Sequence, residues 1–104
     1  MAKNKYSAGR KAEQRVASRL RRAGASVRTS PGSRGPADLT AIFEHKKWLV
    51  QVKSGENPPK ELPARERQRI NQMARSRKAT PVLARVTTKA VEYRSTRSNR
   101  KLKP

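Results

Sequence analysis

Asp38 is the only aspartate in the chain, and it stands directly before the strand-like run LTAIFE (Leu39 to Glu44). The next such run, WLVQVKS (Trp48 to Ser54), carries Gln51 and Lys53 among apolar neighbours. Strand side chains alternate, so Gln51 and Lys53 share one face while Trp48, Val50 and Val52 take the other. A hairpin turn centred on His45 and Lys46 predicts an antiparallel register with Asp38 opposite Lys53 and Thr40 opposite Gln51. A carboxylate beside an ammonium suits metal-assisted phosphodiester cleavage. The acid holds a hard divalent cation such as Mg2+, and the ammonium positions the attacking water or offsets charge developing on phosphate. The plainer readings are a turn-capping aspartate or a structural Asp–Lys pair in a DNA-binding domain.

Glu13 is the third candidate. On a helical wheel of about 100° per residue it falls roughly 20° from Leu20 and 60° from Val16, inside the apolar stripe. An inward carboxylate costs several kcal/mol unless a cation or hydrogen-bond donors meet it. An ion pair with one of the many arginines would be the structural explanation.

The elements that must position these residues read as α-β-β-β-α-β-β. A helix is predicted from Ser7 to Ala23, with Ser7 as N-cap, Ala12, Val16, Leu20 and Ala23 inward, and Gly24 as the stop. A strand follows over Ala25 to Ser30, then a Gly/Pro loop over Pro31 to Ala37, then the hairpin. A linker, ENPPKELP, precedes a second helix over about Ala64 to Arg77, with Ile70, Met73 and Ala74 inward. TPVLARV (Thr80 to Val86) is a strong strand and VEYR (Val91 to Arg94) a weaker one. The basic arm at residues 1–6 and the polar tail at 95–104 are expected to be disordered, leaving one domain over 1–94.

Composition narrows the partners. Lys and Arg total 27 against 7 acids, a formal charge of +20, so a polyanion is expected, with nucleic acid leading. A ribosomal-type RNA binder or a general DNA coater would also satisfy the charge. Only 33% of residues are hydrophobic, so the core is small and oligomerisation would be a natural supplement. With no cysteine, disulfides and thiolate metal sites are excluded. There is no second histidine to join His45 in a zinc site. Trp48 reads as core or dimer contact rather than a base-stacking platform. No run is long enough to cross a membrane, and MAKNKYSAGRK lacks the apolar segment of a signal peptide.

GRKAE (Gly9 to Glu13), VRTSPGSRGPAD (Val27 to Asp38), VQVKS (Val50 to Ser54) and TPVLARV occur in an order and spacing that resemble the PD-(D/E)XK nucleases. The closer resemblance, over roughly residues 7–94, is to the archaeal-type (Hjc-like) Holliday junction resolvases, which also occur in viruses. It implies an α/β fold: a small mixed β-sheet flanked by helices, with a restriction-endonuclease-like core. It implies a metal-dependent, structure-selective DNA endonuclease that cleaves four-way junctions by paired nicks as a homodimer. Other repair or restriction-like nucleases of the same superfold, or a non-catalytic nucleic-acid binder, are the alternatives.

Carried over by position, Glu13 and Asp38 would support Mg2+ (Mn2+ as substitute), joined by the Val52 carbonyl, with Lys53 the catalytic lysine. Ser33, or else Ser30, would contact phosphate. Arg28 and Arg34 would hold DNA near the cut, with Lys5, Arg10 and Ser30 completing the DNA-binding set. One departure matters: Gln51 stands where the family has an acid. Its amide oxygen can ligate Mg2+ but adds no charge, so Glu13 would compensate directly, or Glu44 or Glu56 would move in. The expected partners are branched DNA and a second copy, with no membrane and no small-molecule cofactor. The expected location is the cytoplasm, or the host cytoplasm or nucleoid for a viral protein.

Overall fold

A computed structural model describes residues 5–29 and 37–104. The elements are α1 (Lys5–Arg22), β1 (Ser26–Thr29), β2 (Leu39–Ile42), β3 (Lys47–Ser54), α2 (Ala64–Arg77), β4 (Thr80–Val86), β5 (Val91–Ser95) and β6 (Lys101–Leu102). The six strands form one sheet in chain order, antiparallel throughout except for the parallel β3–β4 pair. That parallel step requires a crossover, and α2 supplies it. This is the expected mixed sheet flanked by helices, with one strand more than the sequence suggests.

Alternation in β3 sorts the core onto two faces. Trp48 and Val50 turn toward α1, joining Ala12, Val16, Ala17 and Leu20 from the helix and Leu39, Ala41, Val82, Ala84 and Tyr93 from the sheet. Leu49 turns the other way, packing with Leu83 against Leu62, Ile70 and Ala74 on the α2 side. Burying one such aliphatic side chain contributes about 1.5–3 kcal/mol, which makes these two layers the main favourable term. The Trp48 indole, 3% exposed, meets Phe43 edge-on at 5.3 Å and Tyr93 at 5.6 Å between ring centroids.

Helix α1 ends where Gly24 predicts. Gly24 takes φ 101°, and the Ala25 N–H returns to the Leu20 carbonyl at 3.0 Å. Helix α1 begins at Lys5, however, so Ser7 lies inside it rather than capping it, and Lys5 and Tyr6 belong to the helix rather than to an arm. Helix α2 has the predicted bounds and closes on Lys78 in a left-handed conformation.

The tail departs from expectation. Lys101 and Leu102 pair with Arg94 and Tyr93 as β6, so residues 95–104 are not a disordered extension. The turn before β6 is built from backbone and hydroxyl bonds. Ser95 N–H donates to the Arg100 carbonyl at 2.9 Å, and Ser95 Oγ accepts from Arg97 N–H at 3.2 Å. Asn99 takes a left-handed φ of 58°. Leu102 then packs against the α1-side core.

Glu92 ties β4 and β5 together. Its Oε1 accepts from Arg85 Nη1 at 2.9 Å and from Arg94 Nε at 2.5 Å, while the Arg85 guanidinium also donates to the Pro58 and Pro59 carbonyls of the linker. The Arg94 hydrogen bond, reinforced by Arg85, draws the Glu92 carboxyl down to about 2. A depressed acid contributes stability above its unfolded value of 4.5 and loses it as pH falls toward 2. Glu92→Gln should therefore cost about 1–2 kcal/mol at pH 7, allowing for partial solvent screening. Denaturant titrations at several pH values should show the difference from the parent closing through the acid window.

Candidate active site

The hairpin sets the site. Leu39 faces Val50, Thr40 faces Leu49 and Ala41 faces Trp48, and the Phe43 N–H closes the turn onto the Lys46 carbonyl at 2.8 Å. Pairing is thus two residues away from the predicted register, and the ladder carries Asp38 toward Gln51 rather than Lys53. Small Ala41 opposite Trp48 leaves room for the indole. The shift also lets the Lys46 ammonium sit 4.8 Å from the Phe43 ring centre and 5.2 Å from that of Trp48. A two-residue shift preserves parity, so Gln51 and Lys53 keep the face assigned to them.

Strand β2 has four residues and β3 has eight, so β3 runs on past the start of β2. Asp38 fills the edge this leaves. Its N–H donates to the Val50 carbonyl at 2.8 Å, and its Oδ2 accepts the Val52 N–H at 2.9 Å in place of a strand partner. In a strand, the N–H and C=O of one residue point to the same edge, so the Val52 carbonyl shares the edge that Asp38 occupies.

This position couples the Asp38 carboxylate to charged groups on α1, β3 and α2. Burial pushes its pKa up; the Val52 N–H and then the Lys53 ammonium oppose this, and the Glu66 charge adds to the rise. On the α1 side, half-buried Glu13 is also pushed up, first by burial and then by repulsion from Asp38, with Arg10 opposing. On the α2 side, Lys53 Nζ lies 3.3 Å from Glu66 Oε1. That pair keeps 31% and 43% side-chain exposure, so it contributes about 0–1 kcal/mol to stability.

The fold therefore brings Glu13, Asp38, Val52 and Lys53 to one edge, with Gln51 half-buried on the Lys53 face. Arg28 is exposed on β1 opposite Thr40, and Arg10 is exposed on α1. Ser30, Ser33 and Arg34 lie outside the described residues, as does most of the Pro31 to Ala37 loop. Lys5 opens α1. Glu44 does not move in: it sits at the hairpin tip, 3.8 Å from His45 Nε2 and as exposed as that ring. Glu56 is exposed beyond β3 and is not among the charges acting on Glu13 or Asp38.

Glu66 is the acid that the sequence reading missed. It stands roughly 20° from Met73 and 40° from Ile70 on the wheel, inside the stripe of α2, so the test that singled out Glu13 would have found it. Among the described residues, no group of three or more His, Cys, Asp or Glu side chains comes together. Two half-buried carboxylates, beside carbonyl and amide oxygens, still make a donor set suited to a hard cation.

No protein-family model matches the chain, and no curated protein matches it. Among solved structures it is similar to Hjc, a Holliday junction resolvase from the archaeal hyperthermophile Archaeoglobus fulgidus. The TM-score is 0.77 at 22% sequence identity, over 86% of this chain and 78% of that one. At this identity the likeness concerns the fold, and it agrees with the restriction-endonuclease-like architecture that the sequence implies. No helix among the described residues is long and apolar enough to cross a membrane.

Proposed function

We propose that this chain is a metal-dependent DNA endonuclease that nicks four-way junctions in pairs as a homodimer. The observation that carries the reading is the Asp38 carboxylate seated on the Val52 N–H, with its charge acting on Glu13 on one side and the Lys53 ammonium acting on it from the other. Glu13, Asp38, the Val52 carbonyl and the Gln51 amide oxygen would hold Mg2+, or Mn2+ in its place. Bound there, the cation supplies charge stabilisation for phosphate in the transition state. Lys53 directs its ammonium at the attacking water or the phosphate. Hydrolysis joins the water oxygen to phosphorus and breaks one P–O bond to sugar, and the departing oxygen takes up a proton. Arg10 and Arg28 hold DNA through phosphates, reading shape more than bases.

A dimer fits the substrate, because a twofold axis relates the two strands that paired nicks must cut. Incubating the protein with a synthetic junction, a flap and a linear duplex, each with Mg2+ or Mn2+, tests the reading. Paired nicks confined to the junction are expected. Cutting of flap or duplex instead would move the proposal to a repair or restriction-like nuclease, and intact DNA throughout would remove it.

Gln51 favours a second reading, a binding-only protein, because the site then has a neutral oxygen where charge would hold the cation. Gln51→Glu is expected to tighten Mg2+ binding roughly tenfold by adding that charge. Calorimetric titration measures it, and unchanged affinity would argue that position 51 does not face the cation.

A further inference from the structure

We propose that Glu66 takes the place of the acid missing at position 51, holding the Lys53 ammonium at the Asp38 edge and adding the second negative charge on the α2 side. This deepens the nuclease reading and rests on it.

Three observations converge on Glu66. Its Oε1 is 3.3 Å from Lys53 Nζ, on the face of β3 that Gln51 shares. It lies on the inward stripe of α2, one turn before Ile70, which is fully buried against the sheet. Its charge also reaches Asp38 directly. The ordinary explanation, an acid complementing the dipole in the first turn of α2, accounts for its place on the helix. It accounts for neither the partner chosen nor the neutral residue at position 51, and the pair is too exposed to be retained for stability. Position 51 lies two residues before Lys53 on the same face of β3, and Glu66 meets Lys53 on that face from α2. The parallel β3–β4 connection is what lays α2 over that face. A negative charge at either address does the same electrostatic work.

The experiment moves the charge between addresses. Glu66→Gln, Gln51→Glu and the double variant are compared with the parent in three readouts: Mg2+ and Mn2+ affinity by calorimetry, junction binding without metal, and junction cleavage. Glu66→Gln is expected to weaken metal affinity and slow cleavage about 10–100-fold while metal-free junction binding is kept. The double variant should recover most of both. Unimpaired metal binding in Glu66→Gln would overturn the inference, as would a double variant no better than Glu66→Gln alone. The calorimetric arm decides the role of Glu66 even if the parent cuts nothing, an outcome that would remove the nuclease reading separately.

Discussion

Asp38→Asn is expected to lose junction cleavage by at least about 10³-fold, equivalent to roughly 4 kcal/mol of transition-state stabilisation. The substitution keeps shape and keeps an oxygen to accept the Val52 N–H, so the β3 edge remains closed. Only the charge goes. Burial raises the Asp38 pKa above 3.8, so the folded state binds its proton more tightly than the unfolded chain does. The contribution of this group to stability is therefore greatest below that value and falls as pH rises through the folded pKa. The variant should be at least as stable as the parent at neutral pH, and its advantage should disappear toward pH 3. Stability spent on an uncomfortable carboxylate is characteristic of functional positions. Cleavage assays with thermal melts across pH measure both halves. Retained cutting would remove Asp38 from the chemistry, and a collapsed fold would mean that its role is structural.

Trp48→Ala is expected to cost about 3–5 kcal/mol, the range for removing a large buried aromatic. Trp48 is packed between Phe43 and Tyr93 under α1, so its loss opens a cavity that backbone fixed between β2 and β4 cannot close. Small domains have about 5–15 kcal/mol in total, so the variant should be near the edge of folding. Chemical denaturation reads it directly. A change below about 1 kcal/mol would mean that the indole is not a core element, and that a dimer or DNA contact must explain it.

How much of this was legible beforehand follows from which interactions are periodic. Alternation along β3 separates Trp48, Val50 and Val52 from Gln51 and Lys53 without any structure, because side chains in an extended backbone must alternate. The wheel likewise turns Glu13 inward, and Gly24 stops α1 because a left-handed residue there suits glycine. Register is different. Sliding β2 by two residues leaves every side chain on its own face, so the pattern cannot tell Asp38 opposite Lys53 from Asp38 opposite Gln51. The hairpin turn and the fit of Ala41 against Trp48 decide it.

The tail was misread for a related reason. SNRKLKP has almost no apolar signal, yet strand pairing uses backbone groups that every residue carries, and a single Leu102 anchors β6. Periodicity and composition thus determine which residues belong to a face, since those depend only on neighbours along the chain. Which faces meet depends on connections across it. Glu66 reaches Lys53, and Asp38 reaches the Val52 N–H, only once α2 crosses the sheet and β2 stops short of β3. Those meetings belong to the tertiary structure because the partners lie 13 and 14 positions apart in the chain.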